Sequence, residues 1–216
     1  MLITICGPSG AGKTELSHTL KNRYDTRELI SYTTRTPRPG EAHSKDYYFI
    51  DNDVFSSMIE NGDFCEYEEY SQNRLYGTGK KDVIRSAESE KIYVTVVTPN
   101  GMRAIEQALK DENVPKQNYM SVMVTASLGV RVKRYIDRVG SDNFNYDDMN
   151  EINARVNRDF GMFLNMERNC DLVLDNSCDY RYDTSKPVNS IAVLAEQVIK
   201  EFELRKYEPD KEEYEI

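Results

Sequence analysis

The stretch Leu2-Ile3-Thr4-Ile5-Cys6-Gly7-Pro8-Ser9-Gly10-Ala11-Gly12-Lys13-Thr14 decides how this chain is read. Its first five residues are apolar or β-branched and predict a short buried strand. They run straight into a glycine-rich turn that fits G-x-x-x-x-G-K-[ST] over residues 7–14. Leu16 and Leu20 then recur at helical spacing, so residues 13–23 predict a helix. Strand, glycine turn and helix in this order form a phosphate cradle. The glycines let the backbone wrap until successive N–H groups point at phosphate oxygens. The helix N-terminus adds partial positive charge. The expected cradle is Gly7, Pro8, Ser9, Gly10, Ala11 and Gly12, with Lys13 bridging the β- and γ-phosphates and the Thr14 hydroxyl holding Mg²⁺. A nucleoside triphosphate is implied; the acceptor is not.

Outward from this stretch, strands alternate with helices. Residues 29–32 predict a second strand, and 33–45, rich in Thr, Pro, Gly and Arg, a loop. Tyr47-Tyr48-Phe49-Ile50 is strand-like. A helix capped near Asp51 or Asp53 should carry Val54, Phe55, Met58 and Ile59 until Asn61-Gly62 stops it, and 64–70 returns to strand. Helices are expected near 81–88, 102–110, 128–138, 149–163 and 191–204, and strands at 92–97, 119–125 and 172–174, with a polar loop at 140–148. The pattern predicts an α/β fold, a mostly parallel sheet covered by helices on both faces. Residues 1–205 read as one domain with a core of 1–32, 80–137 and 156–205. A β-rich insertion of 33–79 and a lid of about 138–155 complete it, and 206–216 is an acidic tail.

Composition narrows the function classes. The 216 residues hold 28 Lys and Arg against 37 Asp and Glu, a formal charge of −9. With a pI near 4.9, general nucleic-acid binding is not expected. Mean hydropathy is −0.68 and no apolar run approaches a membrane span. The start, interrupted by Gly7, is too short for a signal peptide. Cys6, Cys65, Cys170 and Cys178 show no CxxC spacing, and the histidines are His18 and His43 alone. Neither a zinc site nor a disulfide framework is expected, and a reducing cytoplasm is the simplest home.

The acceptor is approached through Ser31-Tyr32-Thr33-Thr34-Arg35-Thr36-Pro37-Arg38-Pro39-Gly40-Glu41, followed by Lys45-Asp46-Tyr47-Tyr48-Phe49. Two arginines three apart in a restrained loop, with a tyrosine close behind, suit a phosphate dianion, because guanidinium forks bind its oxygens bidentately. Together with Gly62-Asp63-Phe64-Cys65-Glu66 and Leu75-Tyr76-Gly77-Thr78, this order of motifs resembles the guanylate kinase family, within the P-loop nucleoside monophosphate kinases. The resemblance is close over residues 1–80 and traceable to about residue 178.

The resemblance implies that Arg35, Arg38, Tyr47 and Tyr76 hold the acceptor phosphate, and that Ser31, Glu66 and Thr78 read its base. The chemistry agrees: guanine offers N1–H and N2–H₂ to a carboxylate and O6 to a hydroxyl. Arg134, Arg138 and Arg155 match lid arginines that neutralise charge during transfer, and Asn176 matches a position near the donor adenine. The implied activity is transfer of the γ-phosphoryl of ATP to GMP or dGMP with Mg²⁺, by a monomer or homodimer.

Two departures from the family stand out. Val96 and Thr98 occupy positions where the family carries carboxylates, the second of which helps read the guanine amino group. Thr98 is therefore expected in the substrate site with a hydroxyl only, and inosine monophosphate (IMP) should be rejected less severely. The lid also carries extra polar residues, among them Phe144 and Tyr146. Three alternatives stay open: a broader (deoxy)nucleoside monophosphate kinase, a non-catalytic interaction module of guanylate kinase type, and a kinase of a phosphorylated sugar.

Overall fold

The computed structural model describes residues 1–70, 74–177 and 191–205; Cys178 and the acidic tail 206–216 lie outside them. In chain order the elements are β1 (Leu2–Cys6), α1 (Lys13–Tyr24), β2 (Arg27–Glu28), β3 (Tyr32–Thr33), β4 (Tyr48–Phe49), α2 (Asn52–Glu60), β5 (Phe64–Tyr70) and β6 (Arg74–Gly79). There follow α3 (Lys80–Glu88), β7 (Tyr93–Val96), α4 (Pro99–Asp111), β8 (Tyr119–Thr125), α5 (Leu128–Val139), α6 (Tyr146–Phe163), β9 (Leu172–Asp175) and α7 (Ile191–Arg205).

The core is a parallel sheet in the order β2-β7-β1-β8-β9. Strand β1 is buried along its whole length, and its period-two alternation divides it between two layers. Ile3 and Ile5 pack with Leu16 and Leu20 of α1 and Leu194, Val198 and Phe202 of α7. Leu2 faces the other way, onto Val83 and Ala87 of α3 and Ile105 and Leu109 of α4. Full burial of each such side chain contributes about 1.5–3 kcal/mol, so both faces hold β1 in register. Because the strands are parallel, their carboxyl ends share one edge, where open α/β sheets place their ligands. The ends of β1, β7 and β9 deliver Gly7, Thr98 and Asn176 to that edge.

A second, mixed sheet, β4-β3-β6-β5, is formed within the predicted insertion. Asp51 caps α2 by accepting from Val54 N at 2.8 Å, and Phe55 of that helix meets Phe64 with ring centroids 4.5 Å apart. Gly77 of β6 lies under this pair. A Cβ there would come within 2.8 Å of the Phe64 ring, so the close approach requires glycine.

The structure revises several predicted boundaries. The single strand expected over 29–32 is split. Arg27–Glu28 pairs with β7 in the core, Tyr32–Thr33 pairs in the second sheet, and Ser31 lies at the crossing. Strand β6 is not predicted from propensity, because Gly77 and Gly79 offset the strand-favouring Tyr76 and Thr78; pairing with both β3 and β5 forms it. Helix α4 starts at Pro99, earlier than expected, because Thr98 Oγ1 accepts from Gly101 N at 3.1 Å and proline suits the first turn. Helix α6 starts at Tyr146 through a capping box between Asn145 and Asp148, and it runs unbroken across the expected lid boundary at 155/156.

Candidate functional site

A cleft of about 1060 Å³ opens between the carboxyl edge of the core sheet and the second sheet. Its walls include Gly7, Ser9 and Lys13 on one side and Ser31, Arg35, Arg38, Tyr47, Glu66, Tyr76 and Thr78 on the other. Residues expected to hold two different phosphates thus face one space.

On the first side the glycine turn is wound as its sequence requires. Gly12 has φ +102°, and a Cβ on it would lie 2.4 Å from Asn176 Nδ2. Lys13 folds back, its ammonium donating to the Gly7 and Pro8 carbonyls at 2.7 and 3.1 Å. Burial holds its pKa below the ordinary lysine value, an effect Asp159 opposes. The Asp159 carboxylate, which sequence reasoning did not single out, sits on the turn. Its Oδ2 accepts the backbone N–H of Ser9 at 2.8 Å and pairs with Arg131 at 3.2 Å, and its Oδ1 lies 3.4 Å from Ser9 Oγ.

Asn176 and Arg134 brace the turn from outside the cleft. The Asn176 amide donates to the Ala11 carbonyl at 2.8 Å, and it is buried. Arg134 donates to the carbonyls of Gly10, Ala11 and Asn176 at 3.1, 3.2 and 2.8 Å. Arg138 and Arg155 lie farther along, both over the Tyr135 ring at 5.4 and 5.5 Å, and Arg155 pairs with Glu151. Arg131 and Arg158 both help hold the Lys13 pKa down by their charge, and Arg158 lines the cleft. Both belong to the arginine-rich helices visible in the sequence, but spacing alone does not say which members face inward.

On the second side, the buried Arg35 is engaged as a fork through four of its five N–H donors. It binds Glu41 bidentately, with both distances 2.9 Å, and donates from Nε to Tyr76 Oη at 3.2 Å. Its guanidinium also lies 5.5 Å from the Tyr47 ring centre. Glu41 further accepts the Arg38 N–H at 2.7 Å, which draws Arg38 to the cleft wall. Hydrogen bonds from Arg35 and from the Arg38 backbone hold the Glu41 pKa below the usual carboxylate range. Burial raises that of Tyr47, so it remains a protonated donor.

At the inner end, Glu66 of β5 faces Thr78 of β6 and accepts its hydroxyl proton at 2.6 Å. Burial pushes the Glu66 pKa up, the Thr78 bond opposes this, and the charge of Glu68 adds to it. Thr98 does more here than its place in the sequence implies: its hydroxyl caps α4 and donates to Glu68 at 3.1 Å. Val96, at the other lost carboxylate position, is 39% exposed and lines the same cleft.

Among the described residues no group of three His, Cys, Asp or Glu could enclose a metal ion. Mg²⁺ needs no such cage, since it retains waters and takes its remaining oxygens from phosphates. Thr14, the hydroxyl ligand expected from the sequence, is exposed at the start of α1.

Residues 1–176 match the family model for guanylate kinase. The chain is 39% identical over 111 residues to the guanylate kinase of Trichodesmium erythraeum, covering 51% of this chain and 59% of that protein. It is 33% identical over 178 residues to the guanylate kinase of Blochmanniella pennsylvanica, covering 67% and 81%. The chain spans a little over half the length of several curated relatives it matches. In fold it is similar to the crystal structure of guanylate kinase from Anaplasma phagocytophilum, with a TM-score of 0.56 at 19% identity, covering 98% of this chain and 87% of that one. Among the described residues, no helix is long and apolar enough to cross a membrane. By the glycine turn, the sheet it grows from and the extent of the family match, the chain belongs to the guanylate kinase family.

Proposed function

We propose that the protein transfers the γ-phosphoryl group of ATP to GMP or dGMP, giving ADP and the nucleoside diphosphate. The observation that carries this reading is the single cleft shared by the glycine turn and the Arg35–Tyr76 wall. Family membership supports an enzymatic, nucleotide-binding function, and the chemistry of the lining narrows it. In this reading the backbone N–H groups of residues 7–12 and Lys13 hold the donor phosphates. Arg35, Arg38, Tyr47 and Tyr76 hold the acceptor phosphate, and Glu66, Ser31 and Thr78 hold the base.

The acceptor's own phosphate oxygen is the nucleophile, so the protein contributes alignment and charge neutralisation. Arg131 and Arg158 are added to Arg134, Arg138 and Arg155 as candidates for neutralising charge on the transferred group. Mg²⁺, held by Thr14 with phosphate oxygens and water, would neutralise charge between the β- and γ-phosphates. The second sheet serves as the acceptor lobe and residues 138–155, from the end of α5 into α6, as the lid. Their closure excludes water and suppresses ATP hydrolysis. The proposed partners are small nucleotides, with neither nucleic acid nor membrane, in the cytoplasm.

Coupled ADP release measured across GMP, dGMP, IMP, AMP, dTMP and CMP tests the reading. Turnover highest with GMP or dGMP is expected. Comparable turnover with several bases would support the broader kinase, which the loss of carboxylates at Val96 and Thr98 favours. No turnover with any monophosphate would overturn phosphoryl transfer.

A further inference from the structure

The base end of the cleft holds two carboxylates. Glu66 and Glu68 are two apart on β5, so they project from the same face, and both are half-buried cleft residues. The residues on either side, Tyr67 and Glu69, are exposed; Glu69 also lines the cleft but has neither the burial nor the threonine partner of the other two. Each inward carboxylate is oriented by a threonine from a different element. Thr78 of β6 donates to Glu66 Oε1 at 2.6 Å, and Thr98, at the end of β7, donates to Glu68 Oε1 at 3.1 Å. The Thr98 hydroxyl also accepts from Gly101 N at 3.1 Å, so its only proton is directed to Glu68. One oxygen of each carboxylate is engaged in these bonds.

Two like charges side by side in a partly desolvated wall are unfavourable to each other. The arrangement suits a ligand that presents adjacent N–H donors. Guanine has such an edge, with one proton on N1 and two on the 2-amino group.

We propose that Glu68, oriented by Thr98, is a second acidic reader of the acceptor base, accepting from the 2-amino group while Glu66 accepts from N1–H. This rests on the guanine nucleotide being the acceptor. It revises the expectation that the residue at position 98 leaves the site one carboxylate short. The carboxylate comes from β5 instead, and Thr98 positions it. Restoring a carboxylate by Thr98→Asp should therefore not widen selectivity for GMP over IMP, because it would face Glu68 and remove its donor.

The test is kcat/KM for GMP and for IMP, which lacks the 2-amino group, in the wild type and in Glu68→Gln and Glu68→Ala. Glu68→Gln keeps the shape of a half-exposed side chain. The wild type should prefer GMP by about ten- to hundredfold, the scale of one charge-assisted hydrogen bond. In both variants that preference should shrink to within about threefold, chiefly through loss with GMP. Equal losses for GMP and IMP, or an unchanged ratio, would overturn the role of Glu68 and reduce it to a partner of the α4 cap, with guanylate kinase activity intact. A wild type that turns over no guanine nucleotide would overturn both this inference and the activity on which it rests.

Discussion

Asp159→Asn is the substitution that tests most directly how the donor side works. The carboxylate occupies N–H and arginine donors that a nucleotide phosphate would use, through Ser9 N at 2.8 Å and Arg131 at 3.2 Å. The Asp159 and Arg131 side chains are only 7% and 15% exposed, so solvent screening reduces their interaction little. Asparagine keeps the shape and one acceptor oxygen but loses the charge. Taking a charge-assisted hydrogen bond as about 1.5–3 kcal/mol and crediting the retained acceptor, the nucleotide-free protein should lose about 1.5 kcal/mol. For a chain of this size that is about 3–6 °C in Tm.

If ATP displaces the carboxylate, the ATP-bound protein never had this contribution. The same 1.5 kcal/mol then reappears as about tenfold tighter ATP binding. Calorimetric titration with a non-hydrolysable ATP analogue and Mg²⁺, without acceptor, measures the affinity. Thermal melts with and without saturating analogue measure the other side of the cycle, and the two Tm values should converge when the analogue is bound. Unchanged or weaker binding, with the Tm gap persisting at saturation, would refute the idea that Asp159 and the phosphates compete for the same donors.

Three further outcomes are expected. Lys13→Ala should lower turnover by at least about a hundredfold, the scale of one preorganised electrostatic group, with circular dichroism confirming the fold; near-normal kcat would remove Lys13 from the chemistry. Arg38→Lys should raise the KM for the acceptor, because an ammonium cannot reproduce the guanidinium fork; steady-state kinetics with KM and kcat both unchanged would leave Arg38 without that role. Burial and the nearby Glu68 hold the Glu66 pKa above the ordinary 4.5, and base reading needs the ionised form, so kcat/KM for GMP should fall as pH drops, beginning at a higher pH than for an ordinary glutamate. A pH profile of Glu66→Gln should lack that inflection; its persistence would assign the limb to another group.

What was legible in the sequence is what neighbouring residues decide. The glycine turn and its flanks are contiguous from Gly7 to Thr14, and a backbone turn of this kind is set by its own glycines and by the strand and helix that flank it. The alternation of strands and helices, and the covering of the sheet on both faces, follow from apolar periodicity for the same reason. Motifs as compact as Thr33-Thr34-Arg35 and Tyr76-Gly77-Thr78 also carry their order with them; Arg35, Tyr76, Gly77 and Thr78 line the cleft, while Thr33 is buried behind it.

What local sequence left open is which charges meet. Glu41 on Arg35 is a loop contact, but Asp159 reaches Ser9 across 150 residues and Thr98 reaches Glu68 across 30. Charge and propensity do not distinguish Glu68 from its neighbour Glu69. Both line the cleft, and only the pleat of β5, with the end of β7 beside it, half-buries Glu68 against Thr98 and leaves Glu69 exposed. The same applies to the arginines of α5 and α6, where helical spacing groups residues on a face but not the direction that face points. Strand β6, whose two glycines offset its Tyr76 and Thr78, is secured because β3 and β5 both offer it backbone partners. Sequence by itself determined the glycine turn and the layered α/β core, since both rest on short-range turn geometry and periodic burial. Only tertiary structure decided the cleft's electrostatics, because a carboxylate's partner is set by where the folded sheets bring distant strands together.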